Sequence, residues 1–322
     1  MDAALVARLF GLGEPRSEPV PLTGYGTAGA WRLDTDRGRW AVKAVTPVEP
    51  WEPVAMRDAG ELERGALAAG LLVPRPVEPR GDSFGYWAAV PGRAGYVRVS
   101  EWVTGDQPRI PVDKPLAAWL GETVAALADV APPASAGHGR GYAFLSEDEW
   151  RERAGAAEAL VGRQEARELL AAAGEATAIV EAGLANAPPM VVCHRDISFR
   201  NILLTSGGPA LIDFDLAGPE SPWWELVHFA FLVACASLGG DEPEPVLVAA
   251  AVSAYAERGG PVGAAGTLAF TGLLRGMLEW AAGSLELAPA SGRARAEFVH
   301  AARVLPVIVR SLDRWADLLE RS

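Results

Sequence analysis

The stretch "VVCHRDISFRNILL" (Val191–Leu204) places charged and hydrogen-bonding side chains between two apolar, β-prone pieces. His194, Arg195, Asp196 and Asn201 would each lose their hydration if this stretch were an ordinary core segment. The spacing follows the pattern His-Arg-Asp-x-x-x-x-Asn, in which the asparagine comes five positions after the aspartate. Such a stretch is either a polar loop with a local turn or a reaction site, and the surrounding sequence decides between them.

The residues that follow predict a short β-hairpin. The letters "ILL" after Asn201 can pair with "ALIDFD" at 210–215 through the turn "TSGGP". This hairpin would return Asp213 to the side of Asn201, so that three oxygen-bearing side chains meet at one end. We therefore predict that Asp196 accepts a proton from a hydroxyl, and that Asn201 and Asp213 hold Mg²⁺, which prefers oxygen ligands.

A glycine-rich segment, "GYGTAGAW", lies near the N-terminus and contains Gly24, Gly26 and Gly29. The pattern G-x-G-x-x-G alone is also typical of dinucleotide sites, but those need a helix directly after the glycines. Here the strand-like letters "AWRLD" follow. We therefore predict a glycine-rich hairpin that lies over nucleotide phosphates, with Gly24, Gly26, Thr27 and Gly29 contacting them through the backbone.

Lys43 lies in the alternating apolar strand "WAVKAV", where an unpaired ammonium would be costly unless the strand face is solvated. Nucleotide phosphates and a carboxylate from the predicted helix at 54–69 would serve as partners. At 100° per residue, Glu63 falls on the apolar side of that helix and Glu61 falls near the opposite side. We predict Glu63 as the partner of Lys43, with Glu61 as the alternative.

The order of the predicted elements indicates an α+β chain with two lobes. Residues 1–105 form a small, antiparallel, β-rich N-lobe with one helix, and residues 106–322 form a larger, mainly helical C-lobe. The predicted strands of the N-lobe are 30–33, 40–45, 86–90 and 96–102. The helices that follow the polar hairpin are predicted at 222–238, 244–258, 264–287 and 293–320.

Composition narrows the classes of partner. The formal charge is 29 − 41 = −12, which disfavours nucleic acid and would attract a cationic small molecule, although an acidic surface also simply keeps proteins soluble. Cys193 and Cys235 lie in apolar runs, as expected for free thiols in a reducing cytoplasm. The N-terminus lacks a signal-peptide pattern, and the most apolar stretch is too short for a membrane span, so we expect a cytoplasmic protein.

Together, "TGYGTAGAW", "WAVKAV", "SEWVTG", "CHRDISFRNILL" and "ALIDFDLAGP" resemble the protein-kinase-like fold of the aminoglycoside phosphotransferase family. The resemblance implies a small-molecule kinase that uses ATP or GTP with Mg²⁺ and has an alcohol group as acceptor. It implies that Lys43 holds the α- and β-phosphates, and that the connector near Glu101–Val103 receives the nucleotide base. Asp196 would orient the acceptor hydroxyl, while Asn201 and Asp213 would hold magnesium.

Some residues depart from the family pattern. Many members have glycine where this chain has Arg195, and Phe214–Asp215 replaces the Phe-Gly of protein kinases. Only about ten residues then precede the next helix, which leaves no room for a long activation segment and argues against a protein substrate. Arg200 either reaches the transferring phosphoryl group or forms a salt bridge with a carboxylate.

The resemblance implies an acceptor pocket between the catalytic loop and the C-terminal helices. Candidate contacts are the acids and aromatics of that region: Asp215, Trp223, Trp224, Glu279 and Trp280. For any single residue of the stretch "LLRGMLEWAAGSLEL", a place in a core helix is the more common outcome, and Asp215 could instead support a residue that contacts the substrate. Glu225 is expected to brace the catalytic loop. The acceptor could be an aminoglycoside or another hydroxylated natural product such as a nucleoside antibiotic, in a resistance or self-protection role. A metabolic sugar or amino-alcohol kinase, a pseudokinase module and the oligomeric state stay open.

Overall fold

The computed structural model describes residues 1–25, 28–81, 83–135, 144–237 and 239–322, with only the backbone of residues 23–25 and 28. Gly26 and Thr27, which we predicted as phosphate contacts, lie outside the described residues. Among the described residues, no helix has both the length and the apolar character needed to cross a bilayer.

The N-terminal part of the chain folds into an antiparallel sheet of six described strands in the order β1-β2-β3-β6-β5-β4. The strands are β1 (Val20–Tyr25), β2 (Ala28–Thr35), β3 (Gly38–Val45), β4 (Ser83–Phe84), β5 (Trp87–Ala89) and β6 (Tyr96–Glu101). Val42 of β3 and Val97 and Val99 of β6 are buried on one face of the sheet, because successive side chains of a strand point to opposite faces. The predicted strands are confirmed, and the predicted lobe boundary after residue 105 falls in the connector beyond β6.

Two helices accompany this sheet among the described residues, where the sequence predicted one. Helix α2 (Glu52–Ala68) is the predicted one, and helix α1 (Ala3–Phe10) was missed. Asp2 caps α1 by accepting the amide of Leu5, and Phe10 packs in a core shared with the sheet. Asp2 and the left-handed Gly11 at its two ends are local signals that the prediction overlooked, and packing on the sheet stabilises such a short helix.

The C-terminal part is a helical bundle around one large apolar core. Its helices are α3 (Lys114–Val130), α4 (Glu147–Glu152), α5 (Ala154–Val161), α6 (Arg163–Ala185), α7 (Pro222–Ala234), α8 (Pro245–Glu257), α9 (Thr271–Leu287) and α10 (Gly292–Glu320). The rings of Phe231, Phe270 and Trp315 meet at its centre, with centroids 4.9–5.8 Å apart. Cys193 and Cys235 are buried free thiols, as the sequence predicted.

Two short strand pairs interrupt the helices and carry the polar stretch. The predicted hairpin is confirmed as β8 (Ile202–Thr205) against β9 (Gly208–Leu211), with Ile202 opposite Leu211. A second pair, β7 (Val191–Cys193) with β10 (Gly218–Glu220), fixes the start of the polar loop beside α7. The loop between β7 and β8 is therefore anchored at both ends by β-pairing, which is what holds its side chains in place.

Candidate active site

Neutral His194 holds the loop from residue 194 to residue 201 in place through hydrogen bonds at both of its ring nitrogens. His194 accepts the amide of Asp196 at Nδ1 and meets the carbonyl of Ile212 with Nε2 at 3.2 Å. Its ring packs edge-on against Phe214, and burial lowers the pKa of His194 to about 4. Because Nδ1 accepts a bond, Nε2 carries the hydrogen, so this ring ties the loop to the strand that precedes Asp213.

Asp196 and Asn201 lie against each other in this loop. The amide group of Asn201 donates to the carboxylate of Asp196 at 2.6 Å and to its carbonyl at 2.9 Å. Burial raises the pKa of Asp196 to about 7, and the nearby charge of Asp213 adds to the rise. The amide of Ile212 also donates to the carbonyl of Asn201. The hairpin thus brings Asp196, Asn201 and Asp213 together as predicted, although their chemical roles stay predictions.

Arg195 has a left-handed backbone, with φ of 65°. Its amide donates to the carboxylate of Glu225, and its guanidinium donates to Glu279 at 3.1 Å. A non-glycine residue in this region is strained, and a glycine here would relieve that strain. Glu225 therefore braces the catalytic loop, as the sequence predicted, and Glu279 holds the side chain of Arg195.

Lys43 reaches across to the C-terminal part of the chain. Its ammonium donates to Asp213 at 2.5 Å and to Asp215 at 2.7 Å. Burial acts to lower the pKa of Lys43, but the charges of Asp215 and Asp213 together hold it above its ordinary value. Asp213 itself has a left-handed φ of 68°, which turns its carboxylate toward the lysine. A left-handed backbone at a non-glycine residue is a feature that clusters at functional sites.

Glu63 does not pair with Lys43, which corrects the prediction. The carboxylate of Glu63 accepts two bonds from the guanidinium of Arg98, at 2.7 and 2.8 Å, and both side chains are buried. Arg98 also lies 3.8 Å from Asp215. The alternative partner, Glu61, is on the surface with Arg64. Arg98 and Lys43 are neighbours across β6 and β3, and the periodicity of α2 alone does not determine which of the two meets Glu63.

The connector after β6 offers backbone groups for a nucleotide base. The amide of Glu101 already donates to the carbonyl of Arg75, so Glu101 can contribute only its carbonyl. Within the described residues, the amide of Val103 makes no hydrogen bond. In the glycine-rich hairpin, Gly24 of β1 lies opposite Gly29 of β2. These placements agree with the predicted positions, and their roles toward a nucleotide stay predictions.

A cavity of about 520 Å³ opens beside Asp196, between the catalytic loop and helices α7, α9 and α10. Glu279 and Trp280 line it, as predicted for acceptor contacts. Trp223 and Trp224 do not line it, because α7 turns both into the core, where each is 4% exposed. The prediction that these two tryptophans contact the acceptor is therefore corrected.

Two further candidates lie away from this cavity. Asp215, for which the sequence left a supporting role or an acceptor contact open, is held at Lys43 on the side of the sheet, which agrees with the supporting role. Arg200 is exposed and its guanidinium lies over the ring of Phe199, 5.7 Å from the centroid. Its charge acts favourably on Asp196, so Arg200 stays within electrostatic reach of the reaction site.

The sequence profile of the phosphotransferase enzyme family (APH) matches residues 22–265, which is most of the chain. The chain belongs to this family. It is accordingly a phosphotransferase whose acceptor is a hydroxyl group, which confirms the family resemblance and the predicted enzyme class. No curated protein sequence matches the chain significantly.

Several solved structures share the fold of this phosphotransferase. A spectinomycin phosphotransferase in complex with ADP and spectinomycin is 12% identical, with a TM-score of 0.67 over 96% of this chain and 98% of its own. An amicoumacin kinase in complex with AMP-PNP, Ca²⁺ and Ami is 14% identical, with a TM-score of 0.64 over 94% and 91%. A microcompartment-associated aminopropanol kinase is 15% identical, with a TM-score of 0.63 over 97% and 99%. At these identities the likeness shows the protein-kinase-like fold and nothing about the acceptor.

Sequence reasoning missed some residues of the phosphotransferase site. Arg98 stands between two valines of β6, and a charged residue in a buried strand was a signal that it has a buried partner. Arg275 of α9 pairs with Glu220 of β10, and both are almost fully buried. These two lie 55 positions apart, so no local pattern connects them.

Proposed function

We propose that this phosphotransferase transfers the γ-phosphate of ATP or GTP to a hydroxyl of a hydroxylated natural product, such as an aminoglycoside or another sugar-bearing antibiotic. The role would be resistance or self-protection in the cytoplasm. One observation carries the proposal: Asp196 lines the acceptor cavity and at the same time bonds Asn201, which lies beside Asp213 and Lys43. The acceptor and the nucleotide phosphates can therefore meet at Asp196.

The donor side offers groups of complementary charge for a nucleotide. We assign Lys43 to the α- and β-phosphates, the backbone of Gly24 and Gly29 to the phosphate oxygens, and Val103 to the base. Two carboxylates already hold the ammonium of Lys43, and nucleotide phosphates would replace them as its anionic partners. This exchange would free Asp213 for a metal ion.

A divalent metal fits the oxygen donors of this site. Among the described residues, no group of three or more His, Cys, Asp or Glu side chains could hold a metal by itself. Asn201 and Asp213 supply an amide oxygen and a carboxylate, and Mg²⁺ typically uses one or two protein ligands together with substrate phosphates and waters. Bound there, it would neutralise charge on the leaving nucleotide.

The chain itself would orient the acceptor. Asp196, held by Asn201 and by the His194-bonded backbone, can accept the hydrogen bond of an acceptor hydroxyl and take its proton as the phosphoryl group arrives. Arg200 would approach the transferring phosphoryl group from the exposed side. In this proposal the protein acts mainly by positioning the acceptor hydroxyl and the phosphoryl group, and less by strong acid–base catalysis.

The test is release of ADP or GDP with a panel of sugar-bearing antibiotics, sugars and small amino alcohols. We expect Asp196→Asn to lower turnover by about a hundredfold or more with little change in nucleotide affinity. Asp313→Asn, an exposed change on α10, is the matched control and should leave turnover unaltered. Turnover confined to amino alcohols or simple sugars would favour a metabolic kinase. Nucleotide binding with no turnover on any acceptor would favour a binding module and contradict the proposal.

A further inference from the structure

The acceptor cavity beside Asp196 contains carboxylates that are already neutralised by arginines. Glu220 of β10 and Arg275 of α9 form an ion pair in its wall, with side chains 4% and 2% exposed. A pair this deeply buried cannot turn outward to meet a substrate without losing its own partner. The negative charge of Glu220 is therefore not offered to a bound cation.

Glu279, the most exposed carboxylate of the wall apart from Asp196, is held by the same kind of contact. Its oxygens lie 3.1 and 3.5 Å from the guanidinium of Arg195. Nε of Arg275 lies 3.7 Å from Glu279 as well. Two arginines thus share this carboxylate, and Arg195 and Arg275 together hold two of the three glutamates of the wall, Glu220 and Glu279.

Burial shifts the pKa values of two other groups deep in the cavity toward their neutral forms. Burial raises the pKa of Glu225 to about 8, and its carboxylate accepts the amide of Arg195. Burial lowers the pKa of His228 to about 3, and the charges of Arg275 and Arg195 act in the same direction. The imidazole of His228 is stacked on Phe229 with centroids 4.1 Å apart. Beyond Asp196, each carboxylate of the described wall is therefore already engaged: Glu220 and Glu279 by arginines, and Glu225 by the amide of Arg195.

Apolar side chains make up much of the remaining wall. Phe229 and Leu232 come from α7, Met277 and Trp280 from α9, and Val304 from α10. The ring of Trp280 stands edge-on to the exposed His300, with centroids 5.7 Å apart. A wall of this kind favours an apolar ring or chain, and it offers an aromatic surface on which a sugar ring can lie.

The acidic surface of the protein attracts a cationic acceptor, whereas the wall of the cavity disfavours one. The net charge of −12 attracts cations from a distance, but salt screens such attraction within about 8 Å at physiological ionic strength. An ammonium that enters the cavity loses its hydration and finds its carboxylates already occupied. The cost of removing water from a charged group applies at contact, and salt screens it much less than the long-range attraction. The wall of the cavity therefore determines which acceptors bind.

We propose that the acceptor of this phosphotransferase is a hydroxyl-bearing molecule with at most one charge and an apolar ring or chain, and that polycations are discriminated against at this cavity. The inference rests on the proposed function, because it takes the cavity beside Asp196 as the acceptor site. Of the acceptors named in the proposed function, it favours the less charged hydroxylated natural products and disfavours the polycationic aminoglycosides.

The test compares two probes that differ by one amino group: hexyl β-D-glucoside and the hexyl β-glycoside of glucosamine. Both are titrated calorimetrically into the protein saturated with Mg-ADP, and kanamycin serves as a polycation. We expect the neutral glucoside to bind at least tenfold more tightly than its amino counterpart and than kanamycin. Its affinity should not change between low and high salt, because no ion pair forms.

Two variants separate the wall from the surface. Met277→Glu adds an unpaired carboxylate to the wall and should shrink or reverse the preference for the neutral probe. Val246→Glu adds the same charge at an exposed position of α8 and should leave the preference as it is. The salt titration of the unmodified protein supplies a readout that does not depend on either variant folding.

Tighter binding of the amino probe or of kanamycin by the unmodified protein would overturn the inference. Failure of the neutral probe to bind would do the same, provided that Mg-ADP binds. Absence of Mg-ADP binding would instead overturn the proposed function, and the inference with it. The nucleotide titration, run first, therefore tells the two failures apart.

Discussion

Glu63 of helix α2 accepts two hydrogen bonds from Arg98 of β6, and Lys43 of β3 is left to the carboxylates of Asp213 and Asp215. Lys43 and Arg98 are register partners on neighbouring strands, so both side chains leave the same face of the sheet. Glu63 of the helix therefore lies near two cations and pairs with Arg98, whose side chain is more buried than that of Lys43. Asp215 links them by bonding Lys43 and lying 3.8 Å from Arg98.

A double-mutant cycle tests this pairing. Glu63→Gln and Arg98→Met should be coupled by about 2 kcal/mol in the free energy of unfolding, because each single change strands a buried charge. Glu63→Gln and Lys43→Met should be additive to within about 0.5 kcal/mol. Urea denaturation of the single and double variants gives both numbers.

The matched control for that cycle is Glu61→Gln, the same substitution on the same helix. Glu61 pairs with Arg64 on the surface, so its loss should cost less than about 1 kcal/mol. Strong coupling of Glu63 to Lys43, with weak coupling to Arg98, would contradict the structure.

Asp213 and Asp215 are expected to differ in their effect on metal dependence. Asp213→Asn should raise the Mg²⁺ concentration needed for nucleotide binding by about tenfold or more, because it removes a proposed ligand. Asp215→Asn should leave that concentration nearly unchanged, since this side chain is held by Lys43 and lies near Arg98. Titration of Mg²⁺ at fixed nucleotide measures both variants, and equal shifts would remove the distinction between the two carboxylates.

The left-handed backbone of Arg195 predicts an unusual order of stability. Arg195→Gly and Arg195→Ala lose the same contacts with Glu279, but only glycine adopts a φ of 65° without strain. We expect the glycine variant to be more stable than the alanine variant by about 1 kcal/mol. Thermal unfolding of the pair measures the difference, and a more stable alanine variant would show that this φ is not kept in solution.

Glu225 predicts a dependence of stability on pH. Its pKa is raised by burial from 4.5 to about 8, so between these values the folded protein holds a proton that the unfolded chain releases. Stability should therefore fall as the pH rises from about 5 to about 8, relative to the variant Glu225→Gln, which has no such proton. Parallel unfolding curves across this range decide the matter, and identical pH profiles for the two proteins would mean that Glu225 is ionised in the fold.

Much of the fold was open to prediction because its signals are local. The hairpin β8–β9 follows from a turn between two apolar runs, and the spacing of Asp196 and Asn201 lies within one loop. The strand pattern around Lys43 and the family resemblance indicated the kinase-like architecture in the same way. Helix α1 was missed although its two ends carry local signals, and packing on the sheet beneath it stabilises this two-turn helix.

The sequence by itself determined which reactive groups the chain carries, their order, and the hairpin that brings Asp213 back to Asn201, because contacts within one short segment depend on local geometry. Only the tertiary structure decided that Arg98 holds Glu63, that Trp223 and Trp224 lie in the core, and that arginines neutralise the carboxylates of the acceptor cavity. Those outcomes depend on strand register and on how helices far apart in the chain pack together. Burial and pairing are properties of that packing, so the residue types alone do not specify them.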